Sequence, residues 1–250
     1  MPALDIINTE NIKKVFRNFR KVGVVTTIRY IVSDLLFDMR YKIDTINTAQ
    51  LDTLKIDSEN KSVGNYYEGT NAYIFQKMIS YARVDPSKSC FVDFGSGKGK
   101  AMFMAAERGF RKIIGVEFSI ELVEVNRKNL EIFKARSKSK AEFEILHMDA
   151  SKYAIPADAN LLFFSNPFNE ELTTKVIGNI LKSYDQAPRD IWIVHLHPQG
   201  NMAFPKHPRF KVVHEAREGF VLQLKPVDGV MQYDSPLVRI WEFIRKPAVS

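Results

Sequence analysis

Cysteine is almost absent from this chain, which carries Cys90 alone among 250 residues. A single cysteine cannot form an internal disulfide, so a disulfide-held secreted domain is excluded. No apolar run is long enough to cross a bilayer. The first ten residues also lack the basic-then-apolar pattern of a secretory signal. We therefore expect a cytoplasmic protein in which Cys90 is an inert core thiol.

The composition also lacks any extreme bias. Hydrophobic residues make up 45% of the chain and charged residues 26%, as in an ordinary soluble protein. The length suits one domain with an extension. The formal net charge of +7 is moderate. It permits contact with nucleic acid, acidic protein or anionic lipid but establishes none of them.

The most informative stretch is residues 90–100, CFVDFGSGKGK. Its apolar run has Asp93 near the end, and three glycines then alternate at Gly95, Gly97 and Gly99. This pattern predicts a buried strand, a tight turn that a ligand can approach closely, and a helix from about Lys98. The N–H groups at the start of such a helix can bind an anionic group.

Spacing separates the ligand classes that use such a turn. A P-loop needs Gly five residues before Gly99 and Ser or Thr after Lys100, but Phe94 and Ala101 stand there. A dinucleotide fingerprint needs Gly or Ala where Lys100 stands, which disfavours a nicotinamide-dependent oxidoreductase. A purely structural role, in which the glycines only form the turn after a strand and bind no ligand, remains an alternative interpretation. The remaining acid-x-Gly-x-Gly-x-Gly pattern resembles motif I of class I S-adenosylmethionine-dependent methyltransferases.

Polar residues also end the next three predicted strands. Glu117 ends the second strand about twenty residues beyond the glycines, where a carboxylate can accept hydrogen bonds from ribose hydroxyls. Asp149 follows the third strand, and the methyltransferase resemblance implies that it lies near the adenine amino group. Asn166 follows the fourth strand. Since carboxyl ends of parallel strands meet at one sheet edge, we expect one ligand site there; a solvated strand-end charge is the alternative for Glu117.

The resemblance extends beyond the nucleotide-binding half. Four segments occur in the order and context of a bacterial group of uncharacterised class I methyltransferases, with a likeness over roughly 34–244: residues 37–38, 43–45, 66–70 and 95–100. The segment at Tyr67-Glu68 also resembles the loop of non-SET lysine methyltransferases that closes over the cofactor. Many relatives carry arginine where this chain has Lys100. The cofactor-binding residues implied are Tyr67, Glu68, Thr70, Asp93, Gly95, Ser96, Gly97, Lys98, Gly99, Glu117, Phe118, Asp149, Ala150 and Asn166.

The catalytic candidates form the Asn-Pro-Phe segment (166–168). The triplet Asn166, Pro167 and Phe168 resembles the Asn/Asp-Pro-Pro-aromatic motif of amino-directed N-methyltransferases, in which a side-chain oxygen and a backbone carbonyl hold the target NH₂. The aromatic ring there stacks on the substrate or faces the developing cation. This chain has one proline where that motif has two. A simple chain turn after the fourth strand is the alternative.

The predicted fold is α/β: a Rossmann-like, doubly wound and mostly parallel sheet of the class I methyltransferase type, with an N-terminal helical extension. We assign residues 1–62 to a basic helical extension and linker, and residues 63–250 to the catalytic domain. Apolar spacing predicts helices over about 12–22 and 24–39, with Gly23 between them. These helices either pack on the catalytic domain or contact an acidic partner such as nucleic acid or anionic membrane.

These resemblances imply an S-adenosylmethionine-dependent methyltransferase acting on nitrogen, with a protein side chain such as lysine favoured as acceptor. A nucleic-acid base or small amine is the alternative acceptor, and a nucleoside-binding module without transfer is the rival from another class. His195 and His197 sit two apart on the predicted fifth strand, so we expect their side chains to share a face. No third metal ligand lies nearby in sequence. We expect pocket-wall or core histidines and no metal.

Overall fold

The computed structural model describes residues 19–20, 22–45 and 69–226. Over these ranges seven strands form one sheet in the order β3-β2-β1-β4-β5-β7-β6. The strands are β1 (Cys90–Phe94), β2 (Lys112–Glu117), β3 (Glu142–His147), β4 (Ala159–Ser165), β5 (Trp192–Leu196), β6 (Phe210–Ala216) and β7 (Gly219–Leu224). The helices are α1 (Val24–Tyr41), α2 (Ala72–Ile79), α3 (Lys100–Glu107), α4 (Ile120–Arg136), α5 (Glu170–Gln186) and α6 (Ala203–Lys206).

The sheet is mostly parallel. Neighbouring strands from β3 to β5 pair in parallel, and β7 lies antiparallel between β5 and β6. The chain turns back beside β1, with β2 on one side and β4 on the other, so a crevice opens at the carboxyl ends of these strands. The predicted fold class is confirmed. The apolar run at 237–243, which the sequence predicts to be a further closing strand, lies outside the described residues.

Helix boundaries follow local capping chemistry. Gly23, at φ +81°, precedes the first residue of α1 and separates it from helical residues before it, as predicted. The hydroxyl of Ser119 accepts from the backbone N–H of Leu122 and caps α4. The predicted helix at 12–22 lies mostly outside the described residues. None of the described helices combines the length and apolar character needed to span a bilayer.

Helices cover both faces of the sheet. On one face α1, α2, α3 and α4 enclose a core, and α5 and α6 cover the other. Tyr30, Phe37 and Tyr41 of α1 belong to the same buried cluster as Phe91 and Phe163 of the sheet. Burial of apolar side chains at about 25 cal/mol per Å² is the main source of stability in such a core. Helix α1 is therefore part of the core that supports the crevice.

Candidate cofactor and acceptor site

The glycine loop joins β1 to α3. Gly95, Gly97 and Gly99 have φ values of +76°, +51° and +90°, in a region that side chains other than glycine disfavour. The backbone N–H groups of Gly95 and Ser96 donate to the Val116 carbonyl oxygen, at 2.8 and 3.1 Å. A Cβ at Gly99 would lie 2.2 Å from the side-chain oxygen of Asn126 in α4. Backbone conformation and packing thus both require glycine here.

Glu117 organises the backbone around the loop. It is buried at the end of β2, with 3% of its surface exposed. Its Oε2 accepts from the N–H of Gly97 at 2.8 Å, and its Oε1 accepts from the N–H groups of Phe118 and Ser119 at 3.0 Å each. Burial raises the pKa of Glu117, and these three N–H donors lower it. The carboxylate therefore holds the glycine loop against the carboxyl end of β2.

Asp93 lies beside Glu117 in the same buried edge. It occupies β1, pairs in register with Gly115 of β2, and is 3% exposed. No hydrogen bond to its carboxylate comes from the residues the structure describes. Burial raises its pKa well above the ordinary value, and the Glu117 charge raises it further. Two carboxyl groups therefore share a poorly hydrated edge, and one of them has no donor from the described protein.

Asp149 ends the third strand region as predicted, and it also caps a turn. Its Oδ1 accepts from the N–H and the hydroxyl of Ser151, at 2.8 and 2.7 Å. The short helical turn Ala150–Lys152 follows, and Ala150 is buried. Phe118 is half-buried, and its carbonyl oxygen lies 3.1 Å from the Nε2 of His147 on β3.

The Asn-Pro-Phe segment follows β4, the neighbour of β1. Asn166 has a left-handed φ of +49°, and its N–H donates to the Leu196 carbonyl at 3.0 Å. A Cβ at Gly95 would lie 2.5 Å from the Cβ of Pro167, so this segment contacts the glycine loop. Phe168 is buried, and its ring meets Phe164 edge-on with centroids 6.3 Å apart. The two sequence motifs therefore meet at one edge of the sheet.

A buried asparagine that sequence reasoning missed supports Phe168. Asn201 donates from its Nδ2 to the Phe168 carbonyl at 3.3 Å and to the Thr173 hydroxyl at 2.7 Å. Its Oδ1 accepts from the N–H of Ala203 at 3.2 Å. Asn201 therefore ties the Asn-Pro-Phe segment to α5 and to the start of α6.

Lys98 and Asn129 connect the glycine loop to the segment after α1. The ammonium of Lys98 lies 3.3 Å from Asp44 Oδ2. Asn129 of α4 donates to the carbonyl oxygens of Asp44 and Lys98, at 3.0 and 3.1 Å, and accepts from the N–H of Asp44 at 3.3 Å. The predicted contact of Lys98 with a cofactor stays a prediction.

A second group of charges joins α1 to the start of α3. The buried Lys100 ammonium lies 2.7 Å from Asp34 Oδ1, and Asp34 also accepts from the side chain of Asn71 and the N–H of Ala72. Asp38 accepts from the N–H and hydroxyl of Thr45, at 2.8 and 2.5 Å. Burial raises the pKa of Asp38, and Lys100 lowers it. The likeness at residues 37–38 and 43–45 was the sequence signal for this network.

The remaining predicted residues are placed as follows. Thr70 is buried and immediately precedes Asn71, which caps α2. Tyr67 and Glu68 lie outside the described residues. His195 is buried in β5, whereas β5 ends at Leu196 and His197 is exposed with φ +48°. The prediction that both histidines share a strand face is wrong, because a left-handed residue reverses the chain after Leu196.

Comparison with known proteins assigns the family. The sequence model of a family described as histone methylation protein DOT1 matches residues 45–182, which is more than half of the chain. This chain belongs to the DOT1 family. It is therefore an S-adenosylmethionine-dependent methyltransferase, as the motifs predicted. Among curated proteins, a search finds no match.

Solved structures with a similar fold include several methyltransferases. A provisionally assigned RNA methyltransferase from Pyrococcus horikoshii is 17% identical, with 76% of this chain and 96% of that chain covered and a TM-score of 0.47. A protein of the NADB-Rossmann superfamily from Streptococcus agalactiae is 14% identical, with 67% and 72% covered and a TM-score of 0.49. These identities and scores are too low to bear on the substrate.

Proposed function

We propose that this methyltransferase transfers a methyl group to a nitrogen atom, that the acceptor is a protein side chain, and that the Asn-Pro-Phe segment (166–168) orients it. The observation that carries the proposal is the contact between Pro167 and Gly95. Because of this contact, an acceptor bound at the Asn-Pro-Phe segment would lie next to a methyl donor bound along the glycine loop.

The hydrogen-bond acceptors beside the loop fit an adenosyl group. Glu117 Oε2 accepts one protein N–H, so a second lone pair can accept a ribose hydroxyl. Asp93 is a buried carboxyl group without a hydrogen bond from the described residues, and a ligand donor would relieve that cost. Further contacts are proposed for Phe118, Asp149 and Ala150 around the adenine. The proposed set also includes Tyr67, Glu68, Thr70, Ser96, Gly97, Lys98, Gly99 and Asn166.

The cofactor supplies an activated methyl group on a sulfonium, and the protein has to supply alignment and a suitable electrostatic environment. We assign alignment to Asn166, whose side-chain oxygen accepts a hydrogen bond from the acceptor NH₂ and turns the nitrogen lone pair toward the methyl carbon. The hydrogen bond to Leu196 and the left-handed backbone fix this residue. Phe168, held by Asn201, gives the segment a rigid apolar base.

A protein acceptor is favoured by the family assignment. The family model is described by histone methylation, and it spans the glycine loop, Glu117 and the Asn-Pro-Phe segment of this chain. The likeness of Tyr67-Glu68 to the loop of non-SET lysine methyltransferases points the same way. A nucleic-acid base is the second candidate, because residues 166–168 resemble the motif of amino-directed methyltransferases.

Labelling of a cell lysate with a radioactive methyl donor tests the acceptor class. We expect the full chain to transfer label to the protein fraction, as N-methyl groups that are stable to acid. The matched control is Asn166→Ala, which should lose turnover by at least about a hundredfold while its affinity for S-adenosylhomocysteine falls far less, since Asn166 is only one of many proposed cofactor contacts. Label confined to nucleic acid or small molecules would contradict a protein acceptor. Equal loss of turnover and cofactor affinity in Asn166→Ala would contradict the orienting role.

A further inference from the structure

Exposed aliphatic side chains are concentrated on α1. Of the nine large hydrophobic side chains that the described residues expose, six lie on this helix, with exposed fractions from 44% to 74%. We name them the α1 stripe: Val24, Val25, Ile28, Val32, Leu36 and Met39. Apart from the adjacent Val24 and Val25, they recur at intervals of three and four residues, which places them along one side of the helix. Single exposed hydrophobic residues are common in proteins, whereas a contiguous row marks an interaction surface.

The opposite side of α1 is fixed to the protein. Tyr30, Phe37 and Tyr41 are buried in the core, and the Tyr41 hydroxyl donates to Glu107 at 2.6 Å. The Lys100–Asp34 ion pair attaches the middle of the helix. The stripe therefore does not serve packing against the described residues, and the helix presents it as a preformed surface.

The sequence leading into and including the first part of α1 is rich in positive charge. Residues 11–33 contain six lysines and arginines and no Asp or Glu. On α1 the exposed charged residues are Arg29 and Arg40. Its two acids face inward, since Asp38 is buried and Asp34 is bonded to Lys100. Arg40 is also paired with Glu107 at 3.0 Å, and Arg29 lies over the Tyr73 ring.

These features select among the surfaces that could cover the stripe. Nucleic acid is bound through cations on phosphates and would leave the aliphatic row exposed to water. A second copy would bring the same cation-rich span against itself, and like charges repel. An anionic lipid surface accepts both features, because aliphatic side chains enter the boundary between headgroups and acyl chains while cations stay with the phosphates.

We propose that the α1 stripe and the cations of residues 11–33 dock this protein on an anionic membrane surface, with α1 lying in the plane of the interface. The proposal concerns a surface separate from the crevice. It stands whether or not the acceptor proposed above is correct.

Vesicle flotation of the full chain tests this proposal. We expect binding to phosphatidylcholine vesicles that contain phosphatidylglycerol, and little binding to phosphatidylcholine alone. High salt should weaken the binding, since each cation near the surface contributes electrostatically. The triple variant Val25→Gln, Ile28→Gln and Leu36→Gln should lose at least about tenfold in binding with its Tm unchanged, because all three side chains are exposed. The matched control is Ile132→Gln with Val213→Gln, at exposed sites elsewhere, which should bind as the wild type does.

Several results would overturn the proposal. They are no binding to anionic vesicles, equal binding to neutral vesicles, or the same loss in the control variant. A dimer in light scattering that the triple variant dissociates would assign the stripe to a second copy instead. Salt-sensitive RNA binding that the triple variant abolishes would assign it to nucleic acid.

Discussion

Pro167 lies directly against Gly95, so closely that a Cβ at Gly95 would come within 2.5 Å of the Pro167 Cβ. The contact bridges the loop after β1 and the segment after β4, which are neighbouring parallel strands. The proposed cofactor side and acceptor side of the crevice thus share a wall. Changes at Gly95 should disturb both sides together.

Replacement of Gly95 tests this shared wall. Gly95→Ala should cost about 1–2 kcal/mol from its left-handed conformation, with a further cost from the clash with Pro167. We expect weaker binding of S-adenosylhomocysteine and lower turnover in the same variant, measured by calorimetry and methyl transfer. The matched control is Gly178→Ala within α5, where no atom lies within 4 Å, and this change should stabilise the protein by about 0.5–1 kcal/mol. A Gly95→Ala protein that keeps both affinity and turnover would contradict the account.

Replacement of Asp93 by Asn should have opposite effects on the stability of the ligand-free protein and on its affinity for the cofactor. Its buried carboxyl group has a raised pKa and no hydrogen bond from the described residues, so the ionised form destabilises the ligand-free protein. An acid whose folded pKa is raised contributes stability at low pH that is lost as pH rises through that pKa. Asp93→Asn should therefore raise the Tm of the ligand-free protein at neutral pH by a few degrees, since about 1 kcal/mol corresponds to roughly 2–4 °C at this size. It should also weaken cofactor binding. The control is Glu142→Gln, an exposed acid on β3, which should change neither quantity. A lower Tm for Asp93→Asn would argue against this view of Asp93.

Much of the site at the carboxyl edge of the sheet could be predicted from the sequence, because the position of its residues at strand ends is set by local sequence patterns. Strand ends in a parallel sheet share an edge, so Asp93, Glu117 and Asn166 could be placed together by counting. The contact between Pro167 and Gly95 could not, since it depends on the position of two loops from distant parts of the chain. The hydrogen bonds of Asn201 could not be predicted for the same reason, because they join residues that are far apart in sequence.

Removal of the buried cation Lys100 tests the link between α1 and the glycine loop. Lys100→Met leaves Asp34 and Asp38 without their nearby cation and should destabilise the protein by about 3–5 kcal/mol in urea unfolding. Adding Asp34→Asn should recover part of this loss. The control is Lys175→Met, whose pair with Glu171 is exposed and should contribute under about 0.5 kcal/mol. Equal stability of the Lys100 single and double variants would show that the ion pair with Asp34 does not matter.

His195 should make stability depend on pH. Burial is the main reason that its pKa falls to about 3, and nearby His197 lowers it further. Between pH 6.5 and about 3 the unfolded chain binds a proton that folded His195 does not, so stability is lost as pH falls through this window. His195→Gln should make the loss shallower by up to about 1.4 kcal/mol per pH unit. Urea unfolding at several pH values measures this. The raised pKa values of Asp38, Asp93 and Glu117 make stability increase as pH falls, which opposes the effect of His195. The comparison is therefore between the variant and the wild type at each pH, since both proteins share these acids.

The sequence was less informative about α1. Its basic and apolar pattern predicted a helix but not which apolar residues would be buried, since a helix hydrophobic on most of its surface has no unique inner face. Tyr30, Phe37 and Tyr41 enter the core, whereas Val25 and Leu36 remain exposed. The deciding contacts are tertiary, such as Asp34 with Lys100.

Calorimetric titration of S-adenosylhomocysteine into the full chain and into Glu117→Gln is the most direct test of the central claim. The account predicts binding to the wild type and a loss of at least about tenfold in the variant, which keeps the size of the side chain but replaces a buried carboxylate that accepts three backbone N–H groups. Binding of equal strength to both proteins, or to neither while both are folded, would contradict it.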